Sequence, residues 1–465
     1  MRVSARRCMP ISFVCGALWV SMAGCSGGAS FDRAAATQEA IESTSEALHG
    51  ASNSSAFLEQ STIVPKVAGS SKNIVYKEDF DKGTDKFAQF LRDHVFAEGN
   101  LETEDGQSAT FLLRPAVMCE VSNDSCTDFF TKNQIRLLVS SPSEGDVQIA
   151  LLYSEQRFNP LTFHVSRQRV GLSVDLGASA DTIRAFNGDA GMVPDHFAGV
   201  VLFELVKNAV LDYSLRVSVV QDIAISLTKD SKQYAFGLAA TSPTWEARAN
   251  GNTRTITLTE NLGAVSGKVP LSAFVDSVFD LGLDDPAAGN DPIDVLFAGL
   301  TGAVNLDGAS DHLRFTGVGL GNATSFIKHG QDVLFSADLN AQSGRTMDLD
   351  VSLATDDSTM IQFSPMLDMT LHFAFSALAN QVRNLPAYTL DDTLRVNLAG
   401  DAHPTIKSLR NAAHALQVVT GQLMLTSSAF PDKNITVSAG QCLSTQTPAS
   451  GDDHPFSRYQ VGLCQ

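Results

Sequence analysis

The chain has 465 residues, 44% hydrophobic and 18% charged, which is material for two or three domains or one large β-rich body and too little charge for bulk disorder. Its 33 Lys and Arg against 51 Asp and Glu give a net charge of −18, which argues against nucleic acid and against anionic membrane surfaces as partners. Phe (27) far outnumbers Tyr (6) and Trp (2), so the aromatic content serves burial more than mixed recognition surfaces.

Arg2, Arg6 and Arg7 open the chain, followed by an uncharged apolar stretch over 9–20 and then small residues. This is the layout of a secretory signal. As an uncleaved transmembrane helix the run falls short of the ~17–25 apolar residues needed, and Pro10 and Gly16 interrupt it. Met22-Ala23-Gly24-Cys25 resembles the lipobox of bacterial lipoproteins, in which an apolar residue and two small ones precede a cysteine. Met22 stands where Leu is commonest in that family. The resemblance covers the leader alone. It implies removal of residues 1–24 as a signal peptide and acylation of Cys25, which becomes the lipid-anchored N-terminus in the cell envelope. Ser26, rather than Asp, at the next position implies the outer membrane by the same analogy, with the periplasmic or surface face left open. Two or more acyl chains hold a protein stably where one is marginal. Without the leader's arginines the charge is −21.

Residues 25–72 are rich in Ser, Ala, Gly and Thr, a composition suited to a flexible tether. A weak helix over 32–48 is an alternative for part of it. A stronger helix is expected over 82–97, where Phe87, Phe90, Leu91 and Val95 recur at helical spacing. Cys8 and Cys15 leave with the leader, so Cys119, Cys126, Cys442 and Cys464 remain for disulfides in an exported chain. Three pairings are possible. The local one, Cys119–Cys126 and Cys442–Cys464, is expected because the two segments lie far apart in sequence. A zinc site is disfavoured, since the short Cys-x2–4-Cys spacing with nearby histidines is missing.

Alternating strand patterns occupy 134–140, 146–153, 161–166 and 170–176, with a short helix at 179–187. Residues 197–211 read as a buried helix and 213–227 as a strand. Asn250-Gly251-Asn252 marks a hairpin between 245–249 and 253–259. Helices are expected over 270–281 and 406–415, between further strands at 313–320, 333–339, 347–353, 369–375, 394–398, 417–425 and 435–439. The fold class is mainly β, or α+β, with antiparallel sheets packed as a sandwich or curled, and a few helices. The expected division is an α+β domain over 73–190 and a β-rich domain over 191–465. The uncharged run 411–431 is polar enough to be a β segment rather than a span, and a membrane barrel would need more Tyr and Trp for its girdles.

Common catalytic signatures do not occur: no G-x-S-x-G, H-E-x-x-H, Walker A or dinucleotide fingerprint. Gly263–Lys268 falls one residue short of a phosphate loop, and S-x-x-K at Ser226–Lys229 and Ser325–Lys328 is a short pattern that needs a helix to bring Ser and Lys together. The ten histidines are scattered. An acidic loop carries Asp280, Asp284, Asp285, Asn290, Asp291 and Asp294, oxygen ligands of the type calcium takes, but without EF-hand spacing; a solvated loop is the simpler reading. No cofactor is implied. The balance favours a non-catalytic envelope lipoprotein, a binding or structural module with an envelope protein or a lipid-like apolar ligand as partner. Strands rich in Phe and Leu, such as 369–375, could line a cavity for the latter. The alternative is an exported hydrolase whose site is assembled from distant residues.

Overall fold

The computed structural model describes residues 31–60, 77–120, 123–143, 145–153, 156–177, 194–279, 282–307, 312–320, 324–340, 346–353, 358–383, 391–409, 415–449 and 454–464. The leader, Cys25 and the helix expected at 179–187 lie outside them.

The first element is a helix, α1 (Arg33–Ser55), within the segment whose composition suggested a tether. Asp32 caps it, its carboxylate accepting the N–H of Ala35 at 3.1 Å. The small residues are packing features here. Ala36, Ala40, Ser43 and Ser54 are buried, and Gly50 lies so close to the Tyr213 ring that a Cβ would overlap it. A stripe of small side chains lets a helix lie close on a sheet, so the low bulk read as flexibility is the means of docking. Over 33–60 the chain is therefore helical, as the alternative over 32–48 expected for part of it, and not a tether.

α2 (Lys77–Phe90) follows and ends in a wider π-type turn over Leu91–Val95. It starts five residues before the expected helix and presents a different face. Val95 is buried and Leu91 partly so, but Phe87 and Phe90 point outward. The side towards α1 carries Thr84 and Asp81 instead, because the contact is polar: His49 of α1 bonds both Asp81 and Asp85. α3 (Asp124–Asn133) is capped by Asn123 and joined to the preceding turn by Cys119–Cys126.

The body is mostly antiparallel β. A meander runs through β1 (Leu101–Glu104), β2 (Ser108–Leu112), β3 (Arg136–Ser143) and β4 (Asp146–Tyr153). It continues with β5 (Gln156–Ser166), β6 (Arg169–Asp175), β7 (His196–Ala209) and β8 (Asp212–Lys229), each strand pairing with the next. β7 replaces the helix expected at 197–211. Its Val200, Val201 and Val206 are β-branched, and pairing with β6 on one side and β8 on the other satisfies its backbone as a strand without helical periodicity. The β6–β7 ladder also crosses the 190/191 boundary drawn from sequence, joining both expected domains in one sheet.

β8 forks this ladder. Its first half pairs with β10 (Thr241–Asn250) and its second half with β9 (Lys232–Leu238). The register against β7 shifts at Ala198–Val201, where Gly199 adopts φ +124° and a Cβ would lie 2.8 Å from the Ile223 Cα. Only glycine tolerates that backbone and that approach.

Successive hairpins then alternate between the two branches. β11 (Thr255–Leu262) completes the first; β12 (Val265–Pro270), α4 (Leu271–Phe279) and β13 (Pro292–Phe297) belong to the second. β14 (Leu300–Asp307) and β15 (His312–Leu320) return to the first branch, β16 (Ser325–His329) and β17 (Asp332–Leu339) to the second. The pattern repeats with β18 (Thr346–Leu353) and β19 (Thr359–Ser364), then β20 (Leu367–Ala374) and β21 (Asp391–Ala399). It ends with β22 (Thr405–Ser408) and β23 (Leu416–Thr420), β24 (Gln422–Ser427) and β25 (Ile435–Ser438), and finally β26 (Gln441–Thr445) and β27 (Tyr459–Leu463). Thr405–Ser408 is thus a strand at the start of the helix expected over 406–415, whereas α4 agrees with the helix expected over 270–281.

At the far end the branches pack on each other. Met347, Phe363 and Val418 of the first meet Leu398, Leu423, Leu425 and Val437 of the second in one core. α4 closes a separate core on the second branch with Ile293, Leu334 and Leu378. The start of the meander has its own core under α1. Among the described residues no helix is long and apolar enough to cross a membrane.

Candidate functional site

Strand alternation and register decide which side chains share a face. Starting under α1, Val147 stands opposite Val165, Val165 opposite Val170, and Val170 opposite Leu205. The row continues through Leu215, Ala247 and Leu258 to Val304 and Phe315. It then enters the far core through Leu349 and Phe363. One apolar row therefore crosses the meander and the first branch without a charged residue.

Its cover changes along the way. Val147 and Val165 are buried beneath α1, and Phe363 is buried between the branches. Between these ends, on β7, β8 and β11, Phe203, Leu215 and Leu258 are 38–46% exposed. The second branch begins the same way, with Phe236, paired to Ile225, 43% exposed. β7 to β11 spans three strand spacings, about 14 Å. A hollow of about 330 Å³ lies on this face, lined by Trp245, Leu258, Glu260, Val304, Phe315 and Val318, Glu260 standing opposite Trp245. That volume is at the small end of the ~300–1,000 Å³ typical of ligand sites.

The opposite face of the same strands is polar and tied together. Arg248 grips Asp212 with two bonds of 2.8 and 2.6 Å, and Arg216 donates to Glu246 at 2.8 Å. The Arg248 hydrogen bonds hold the Asp212 carboxyl below its ordinary range against the opposing effect of burial, and Asp212 in turn raises Arg248. Glu246 is pushed up by burial but held lower on balance by Ser214 and Arg216. The strands at the fork are thus hydrophilic on one face, apolar and uncovered on the other.

Of two further hollows, one is polar and the other apolar. One of about 530 Å³ lies between α1 and the ends of β6 and β7, where Glu39 and Glu46 are already paired with Arg167 and Lys207. Another of about 420 Å³ lies over the second branch around the exposed Phe236, lined mainly by Ile225, Val295, Leu296 and Phe326, with the Lys268–Asp294 ion pair beside them.

The residues singled out from sequence fall elsewhere. Cys119–Cys126 and Cys442–Cys464 are at bonding distance, 2.01 and 2.05 Å, in the expected local pairing. Asp280 lies outside the described residues. Its companions are engaged separately: Asp284 with Arg383 at 3.0 Å, Asp291 with His329 at 3.7 Å, and Asp294 with Lys268 at 3.4 Å. Asp285 accepts the N–H of Ala287, closing its own turn. Among the described residues no three His, Cys, Asp or Glu side chains are grouped to hold a metal ion. Both S-x-x-K patterns lie in strands, β8 and β16, so Ser and Lys three residues apart point to opposite faces. Sequence reading missed the uncovered row itself. Its signal was the alternation of Phe203, Leu205, Leu215 and Val217 with charged residues, which becomes a surface only when register is known. No family model, curated protein or solved structure matches the chain.

Proposed function

We propose that this chain is a non-catalytic envelope lipoprotein, tethered through acylated Cys25, whose forked sheet shelters an apolar ligand of the acyl-chain class. The observation that carries the reading is the apolar row left uncovered between two covered ends. Burying one Phe or Leu side chain is worth ~1.5–3 kcal/mol, and contiguous apolar surface on a soluble body marks a binding site. An extended hydrocarbon fits a row that demands no hydrogen bonds. The leader supplies the anchoring half of the reading by its resemblance to the lipobox. Cys25→Ser is expected to move the chain from the membrane fraction to the soluble or precursor pool.

Native mass spectrometry of the chain released from the envelope in mild detergent tests the binding half. Non-covalent lipid is expected on the wild type and lost from Leu215→Asp/Leu258→Asp. Both residues are exposed, so the fold tolerates the change. A lipid-free wild type that cross-links to an envelope protein through the same row would instead assign the row to a scaffold contact.

A further inference from the structure

α2 carries a second uncovered apolar surface, distinct from the row at the fork. Phe80, Phe87 and Phe90 are each at least 40% exposed although the helix is well formed. Positions 80 and 87 are two turns apart, and 83, 87, 90 and 94 follow one another by four, three and four, so the phenylalanines form one stripe with Gly83 and His94. The His94 ring lies 5.4 Å from that of Phe90 and bonds the Val117 carbonyl at 2.6 Å, which fixes this end of the stripe. The buried side of the helix is separate, marked by Thr84 and Val95, and the charged residues Glu78, Lys82 and Asp85 lie on the remaining arc.

The place where the chain enters the body selects what covers the stripe. Phe31 donates its N–H to the Gly106 carbonyl and packs in the core that includes Leu91 and Phe96, beside the end of α2. Five residues lie between it and Cys25, a reach of at most ~21 Å when fully extended. We propose that the phenylalanine stripe of α2 rests in the bilayer surface to which Cys25 is anchored, so that the body is held in a fixed orientation. This rests on the reading of Cys25 as the acylated residue. Lys82 and Lys86 are balanced by Glu78 and Asp79, so the contact is apolar rather than electrostatic and needs no anionic lipid. Three rings orient an anchored protein but do not hold one unaided, which keeps the expected release of Cys25→Ser.

Depth-dependent fluorescence quenching tests this in the full acylated chain. The chain carries Trp245→Phe, and either Phe87→Trp or, as a comparison at the far end of the body, Phe430→Trp. Each is reconstituted in phosphatidylcholine vesicles with and without brominated acyl chains. Bromine is expected to reduce the emission of Phe87→Trp at least about two-fold and to leave Phe430→Trp nearly unchanged, as for a helix lying at the headgroup boundary. Emission of Phe87→Trp indifferent to bromine, or equal quenching at both positions, overturns the proposal. Indifference in vesicles with Phe87 cross-linked to a protein in whole envelopes overturns it in favour of a protein partner. The mass of the N-terminal peptide reports acylation of Cys25 separately, so failure of the anchor and failure of the stripe are distinguishable.

Discussion

His49 bridges Asp81 and Asp85 at 3.1 and 2.9 Å and so joins α1 to α2. Burial pulls its pKa down, but the hydrogen bonds it donates to both carboxylates outweigh this and hold it above its ordinary value. A raised folded-state pKa means stability that is complete below the unfolded value and lost as pH rises through the folded one. His49→Gln is therefore expected to lower the melting temperature at about pH 5.5 and to matter less at about pH 9, the difference being at most ~1 kcal/mol for a partly exposed pair. Equal losses at both pH values would contradict the charge-assisted contact. One residue on, Gly50 makes a purely steric prediction. A side chain there enters the Tyr213 ring, so Gly50→Val is expected to cost ~1–3 kcal/mol in chemical denaturation, the usual range for overpacking. No loss would mean that α1 does not lie against β8.

Among the described strands, β27 is weakly supported. It pairs only with β26, and its side chains are exposed along their length, Leu463 most of all. Cys442–Cys464 closes a 22-residue separation across this hairpin. Loop entropy assigns such a link about 3 kcal/mol, so Cys464→Ser is expected to accelerate amide exchange over 459–463 while leaving β24 and β25 protected. Unchanged exchange would show the strand to be held by its hydrogen bonds alone. The disulfides were legible from sequence because cysteines near in the chain pair cheaply; α4 was legible from its apolar helical period between β12 and β13. β7 was not, because a strand paired on both sides needs no strict alternation and its apolar run mimics a buried helix. α1 was legible in part, as the weak helix over 32–48, but its docking was not, because small residues are common to tethers and to close helix–sheet contacts. The alternation of hairpins between branches left no fixed period, since β10 and β11 have 10 and 8 residues whereas β22 and β23 have 4 and 5.

At the scale of the whole molecule, one strand directs everything that follows it. Because β8 serves two partners, every later hairpin extends one branch or the other, and the apolar faces of both descend from the same side of the meander. Where the branches meet, those faces make a core; near the fork, they are exposed. Gly199 sits at this junction with no room for a Cβ, and Gly199→Ala is expected to cost ~1–3 kcal/mol and to loosen the fork, seen as faster amide exchange in both β8 and β9. Photolabelling the full chain in the envelope with a diazirine-bearing fatty acid, and mapping the modified peptides, tests the proposed seating of an acyl chain along the uncovered row. Labels on β7, β8, β10 and β11, at Phe203, Leu215, Trp245 and Leu258, are the predicted result. Labelling that avoids these strands, or that Leu215→Asp/Leu258→Asp leaves unchanged, would contradict it.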